Sequence, residues 1–96
     1  MKCVYLVKNE TRSKFKVGFT INPRARAHNY KSHSPENEFI GYVEVPDKNY
    51  EKQCHKILLQ KYKKCKVQGN TEWFEGEITL KDLMNMIKQI EENNVN

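Results

Sequence analysis

Phe15-Lys16-Val17-Gly18-Phe19-Thr20 alternates large apolar residues with Lys, Gly and Thr, so Phe15, Val17 and Phe19 fall on one face and Lys16, Gly18 and Thr20 on the other. A period of two marks a strand with one face in the core. Upstream, Cys3-Val4-Tyr5-Leu6-Val7 is an apolar, β-branched run that reads as a strand of its own. The seven polar residues Lys8 to Lys14 between them form a short connection, so the two strands pair antiparallel.

Outward from this hairpin, Asn22-Pro23 opens a helix over about 23–30, with Asn as N-cap and Pro at the first helical position. Ser34-Pro35 stops it, and Phe39 to Val45 forms a third strand ended by Pro46. Asp47 caps a second helix reaching Lys64, with Tyr50, Cys54, Ile57, Leu58, Lys61 and Cys65 along one side. Gly69-Asn70 makes a turn, and Glu72-Trp73-Phe74 is a short extended piece in which Trp73 reads as a core anchor. Thr79 starts a last helix over about 79–92, with Asp82 completing a capping box and Leu80, Leu83, Met84, Ile87 and Ile90 as its stripe. The tail 93–96 is polar and expected to fray. The order β-β-α-β-α-(β)-α predicts a single α/β (α+β) sandwich over 1–96: a three-stranded antiparallel sheet flanked by three helices.

Composition narrows the function classes. Hydrophobic residues are 38% and charged residues 30%, with a formal charge of +5, a balance that favours a polyanionic partner. No apolar run reaches the roughly 18 residues of a membrane span, and no glycine-rich phosphate loop calls for an organic cofactor. Cys3, Cys54 and Cys65 are odd in number and widely spaced, with no CxxC pair, which points to free thiols in a reducing, intracellular and cytoplasmic setting.

Three features carry candidate chemistry. Gly18 interrupts a strand, which points either to a phosphate that must come close to the backbone, or to a bulge or tight packing against a helix. Arg24, Arg26 and His28 lie in the first turns of the first helix, where free N–H groups and guanidinium attract anions; Arg24 on its own reads as a solvated side chain. Glu51 falls at the edge of the second helix's apolar stripe with His55 one turn on, a spacing that suits a metal-binding carboxylate, while His55 itself reads first as a half-buried structural histidine.

In chain order, Val4-Tyr5, then Lys16-Val17-Gly18, Thr20, Asn22-Pro23, Arg26, Glu51 with His55 and Leu58, and Glu72-Trp73-Phe74 resemble the GIY-YIG endonuclease superfamily. They are similar to its phage, viral and fungal stand-alone branch, with KIG in place of YIG and a downstream EWF signature. The resemblance covers about residues 3–75, with Cys3-Val4 standing for Gly-Ile. It implies that Tyr5 is the tyrosine of GIY, that Lys16 and Gly18 hold the first and last positions of YIG, and that Arg26 is the catalytic arginine. It implies too that Glu51 holds one Mg²⁺ (or Mn²⁺), and that Tyr30 stands where relatives carry a phosphate-contacting histidine. The implied function is endonucleolytic hydrolysis of DNA, with Arg24, His28, Tyr30 and His55 as further DNA contacts.

On that reading Tyr5 orients or deprotonates the attacking water, its phenol made more acidic by the Lys16 ammonium, or Lys16 is itself the base. Two other readings stand beside it. One is a non-catalytic DNA-binding module on the same scaffold. The other is a protein-interaction domain using the last helix, whose stripe reads first as packing on the sheet. A homodimer or a separate targeting protein is compatible with each.

Overall fold

The structure, a computed structural model, describes residues 1–67 and 70–94. Five strands form one antiparallel sheet: β1 (Cys3–Asn9), β2 (Lys14–Thr20), β3 (Glu38–Glu44), β4 (Lys64–Val67) and β5 (Asn70–Glu75), in the order β3-β1-β2-β5-β4. Three helices complete the fold: α1 (Pro23–His33), α2 (Asn49–Leu59) and α3 (Leu80–Asn94). The class agrees with the sequence reading; the expected three-stranded sheet does not, because β5 is a full strand and β4 was read as the end of a helix.

The second helix stops at Leu59 and does not reach Lys64. Lys61 and Tyr62 turn their N–H groups back to the Leu58 carbonyl. The Tyr62 ring then packs edge-on against Phe15, 5.1 Å between centroids, and lies against Gly76, whose φ of +125° suits glycine. That anchor turns the following lysines into a strand. Cys65 is therefore not on a helix: it pairs with Trp73 across β4 and β5. Gly69 of the expected turn, and residues 95–96 of the tail, lie outside the described residues.

Caps at α1 and α3 follow the sequence closely. The Asn22 side chain accepts from Ala25 N–H at 3.1 Å, and α1 runs one turn longer than expected, to His33. At α2 the expectation is corrected: the N-cap is Lys48, with no side-chain cap bond, and Asp47, one residue earlier, accepts from Asn49 N–H at 2.9 Å. Thr79 and Asp82 exchange hydrogen bonds, Thr79 N–H to Asp82 at 2.9 Å and Asp82 N–H to Thr79 Oγ1 at 3.1 Å.

Both sheet faces are covered. One carries Val4, Leu6, Phe15, Val17 and Phe74 under Tyr50, Cys54 and Leu58 of α2 and Leu83, Ile87 and Ile90 of α3. Each such fully buried side chain contributes about 1.5–3 kcal/mol. Met84, expected in the α3 stripe, is 52% exposed; Met86 packs against the core instead. The opposite face holds Tyr5, Val7 and Trp73, with Tyr30 of α1, Phe39 and Cys65 against them. No helix among the described residues is long and apolar enough to cross a membrane.

A bulge in β3 shapes the second face. Leu6 pairs with Gly41 and Val7 with Phe39, so Ile40 is the extra residue. In a regular strand Phe39 and Gly41 share a face. Here Gly41 lies on the α3 side, under Leu80, while Phe39 is re-aimed to the Tyr5 side.

Candidate active site

Tyr5 is the centre of the second face. It pairs directly with Gly18 across β1 and β2. A Cβ at Gly18 would overlap the Cζ and hydroxyl of Tyr5 and lie 2.8 Å from Cε2. What approaches the glycine backbone is thus the phenol itself, neither a phosphate nor a helix. The ring is fixed from its other sides by Phe39, stacked at 5.4 Å, and Tyr30, edge-on at 6.1 Å. Three aromatics drawn from β1, β3 and α1 hold one hydroxyl in place.

Arg26 reaches the same ring from α1, with its guanidinium carbon 6.0 Å from the Tyr5 centroid, a cation–π distance. Arg26 and Tyr30 lie one helical turn apart and share that flank of α1. Together they line an open groove of about 430 Å³ with Asn29, His33 and Ser34. Arg24 is on another side of α1, beside Ile21 and Tyr42. His28 is exposed, 3.4 Å from Ser32 Oγ.

Glu51 lies on α2, which is tied to β2 where the described ladder between β2 and β5 ends. The described ladder between β2 and β5 joins Lys14–Lys16 to Trp73–Glu75. One residue beyond it, the Val17 carbonyl accepts from His55 Nε2 at 2.7 Å. A carbonyl only accepts, so the His55 proton is on Nε2. The ring also packs edge-on against Phe74, which makes His55 the half-buried structural histidine of the first reading. It pins α2 to β2 beside Gly18, and Glu51, one turn earlier, is close enough for its charge to act on the Tyr5 phenol.

Electrostatics at Tyr5 differ from the expectation. Burial pushes its phenol well above the ordinary tyrosine value, and Tyr30, by charge and by a side-chain hydrogen bond, pushes it further. Arg26 opposes this and Glu51 adds to it. The cation that bears on the phenol is Arg26. Lys16, expected in that role, shares the face but is turned to Glu72, Nζ to Oε2 3.5 Å, with its side chain 11% exposed. The site therefore gathers Tyr5, Gly18, Arg26, Tyr30 and Glu51, with Lys16 alongside in an ion pair and Arg24 and His28 apart.

Sequence reasoning missed Phe39 and the Lys16–Glu72 pair. The adjacent apolar residues Phe39-Ile40, which break the period of two, were the available sign of the bulge. Trp73 is 2% exposed, a core residue as expected. Also unforeseen is a buried hydrogen bond from Asn9 Nδ2 to Asn37 Oδ1, 2.9 Å, tying the end of β1 to the approach to β3.

Among the described residues no three His, Cys, Asp or Glu side chains gather into a metal cage. A single carboxylate with open solvent beside it is nevertheless a donor set that Mg²⁺ accepts, since that ion keeps several waters and takes one or two carboxylates together with substrate phosphate. Glu51, half-buried in the first turn of α2, fits this requirement.

No curated protein and no solved structure matches the chain. The family model of the T5orf172 domain matches residues 2–91, a span that includes all five strands and every residue gathered at Tyr5. That domain is phage-associated and related to nuclease families of the GIY-YIG and HNH-like kinds. The chain belongs to the T5orf172 domain family.

Proposed function

We propose that this protein is a divalent-metal-dependent endonuclease that hydrolyses phosphodiester bonds in DNA, with the GIY-YIG-type roles assigned to its residues above. The observation that carries the reading is the meeting of a phenol and a guanidinium, Arg26 lying 6.0 Å from the Tyr5 ring, with Glu51 one turn from the His55 that is bonded to Val17 beside Gly18. Membership of a nuclease-related domain family supports it.

Phosphodiester hydrolysis needs an aligned water, charge neutralisation on the phosphate and help for the leaving oxygen. Glu51 would hold one Mg²⁺ or Mn²⁺, whose charge, when bound, polarises the phosphate and favours departure of the leaving oxygen. Arg26 is exposed at its charged end yet braced on the Tyr5 ring, so it meets the non-bridging oxygens without first being ordered. Tyr5, kept protonated by burial and by Tyr30, accepts a hydrogen bond from the attacking water at its hydroxyl oxygen. Its own proton would pass to Tyr30, which lines the solvent-facing groove. Lys16 is paired with Glu72, and the proposal gives it no part in activating the water. A reducing intracellular compartment suits the three free thiols.

The test is incubation of the protein with supercoiled plasmid. Nicked circles should accumulate with Mg²⁺ or Mn²⁺ and not with EDTA. Plasmid left supercoiled by pure, folded protein under both metals would refute the proposal.

A further inference from the structure

The positive charge of this chain is not spread evenly. Residues 52–66 carry six lysines and no Asp or Glu, whereas the other 81 residues carry 11 Lys and Arg against 12 Asp and Glu. The whole excess of the molecule thus belongs to one segment of 15 residues, and all six of its lysines, Lys52, Lys56, Lys61, Lys63, Lys64 and Lys66, are exposed. The Lys16–Glu72 ion pair uses none of them. Asp82 bears on Lys61 from α3, at a distance.

The fold gives the segment a direction. Lys52 and Lys56 lie one turn apart on α2, about 100° around the helix from Glu51 and His55, so the run of charge starts beside the site. It continues past the end of α2 into β4, the outermost strand on that side of the sheet, where Lys64 and Lys66 flank Cys65. The charged segment thus runs from the residue after Glu51 to the edge strand of the sheet.

We propose that this α2–β4 lysine surface is the track along which the DNA backbone is held, placing the phosphate to be cut at Tyr5 and Arg26. The proposal rests on the nuclease reading for the identity of the polyanion and adds where it is gripped. Exposed ammonium groups bind phosphates by counterion release and carry no base information; the carboxylates beside them on β5, Glu72 and Glu75, are two against six and leave the surface positive. A lipid-binding face needs a row of exposed apolar side chains between its lysines; among the described residues of this segment Leu59 is the only large one exposed.

The experiment is fluorescence anisotropy of a labelled 30-base-pair duplex in EDTA across a salt series, so that binding is read without cleavage. The K63Q/K64Q/K66Q variant should lower the slope of log K against log salt by about 2–3 and weaken binding at least tenfold at ~0.1 M salt. A control of equal charge loss on other exposed lysines, K2Q/K81Q/K88Q, should stay within about twofold of wild type. Equal losses in both triples, or no loss in the first, overturn the track. Tight binding to phosphatidylserine vesicles without binding to the duplex overturns it too. A wild type that binds with the expected slope but fails to nick plasmid leaves the track standing and removes the catalytic reading. Nicking by a protein whose lysine triple binds like wild type removes the track alone.

Discussion

The hydroxyl end of Tyr5 lies across the backbone of Gly18, in the space that any other side chain at that position would fill. The glycine is a seat for the phenol, and Phe39, Tyr30 and Arg26 close around the ring from the other directions. The pair makes the position of one oxygen depend on a missing methyl group.

Gly18→Ala should therefore act on catalysis more than on folding. The ring cannot swing away from a new Cβ without displacing Phe39 and Tyr30. Overpacking of this kind costs about 1–3 kcal/mol, and a misplacement of about 1 Å at a reacting group costs about 10²-fold in rate. Plasmid nicking should fall by about that factor while the protein still melts cooperatively. A Gly18→Ala protein that nicks at the wild-type rate would show that the Tyr5–Gly18 contact is irrelevant to the chemistry.

Tyrosine titration tests the electrostatics. Burial first, then Tyr30, raise the Tyr5 phenol, so by absorbance at 295 nm one native tyrosine should ionise well after the others. The late step should vanish in Tyr5→Phe and move down in Tyr30→Phe. Because the folded value lies above the unfolded value of about 10, the corresponding stability is intact below pH 10 and is lost as pH rises past it. All five tyrosines ionising together near pH 10 in the native protein would contradict the buried, paired phenol.

The thiols should separate by reactivity. Burial, with the Glu51 charge second, pushes the Cys54 thiol up to about 12, and Cys3 is fully enclosed. Cys65 is half-buried on β4. Iodoacetamide at pH 8 should modify Cys65 first and reach Cys54 only on unfolding. Mass spectrometry showing early modification of Cys54 would mean that α2 is not packed as described.

How much of this was legible in the chain can be said residue by residue. Asn22 and Thr79 announced their helices because a cap is a contact of three residues' reach, readable without the fold. Phe15, Val17 and Phe19 announced their face for the same reason. The strand Lys64–Val67 was not legible: Lys61 to Lys66 has good helical propensity, and what ends α2 is the Tyr62 ring seated on Phe15 and Gly76, partners 47 and 14 positions away in sequence. At the site, Tyr5, Gly18 and Arg26 stood out by pattern. The roles of Tyr30, Phe39 and Glu72 did not, because each depends on pairing between distant strands or on the Ile40 bulge.

The α3 cap offers a test of the fold independent of function. The Thr79 N–H and hydroxyl hold the Asp82 carboxyl below the usual carboxylate range. Its contribution is present above the unfolded value and lost as pH falls through the folded one. Thr79→Ala should cost about 1 kcal/mol by urea denaturation near neutral pH. Asp82→Asn should be destabilising near neutral pH and approach wild type in acid. A pH-independent difference between Asp82→Asn and wild type would argue against the reciprocal cap.

Single-turnover nicking of supercoiled plasmid in Mg²⁺ by Glu51→Gln, with Glu44→Gln on the exposed end of β3 as control, bears most directly on the proposed chemistry. The amide keeps the size of the side chain and removes its charge, so nicking should fall by at least ~10³-fold, while the control cuts like wild type and both keep the wild-type circular dichroism. Glu51→Gln cutting at the wild-type rate would contradict the account at its centre.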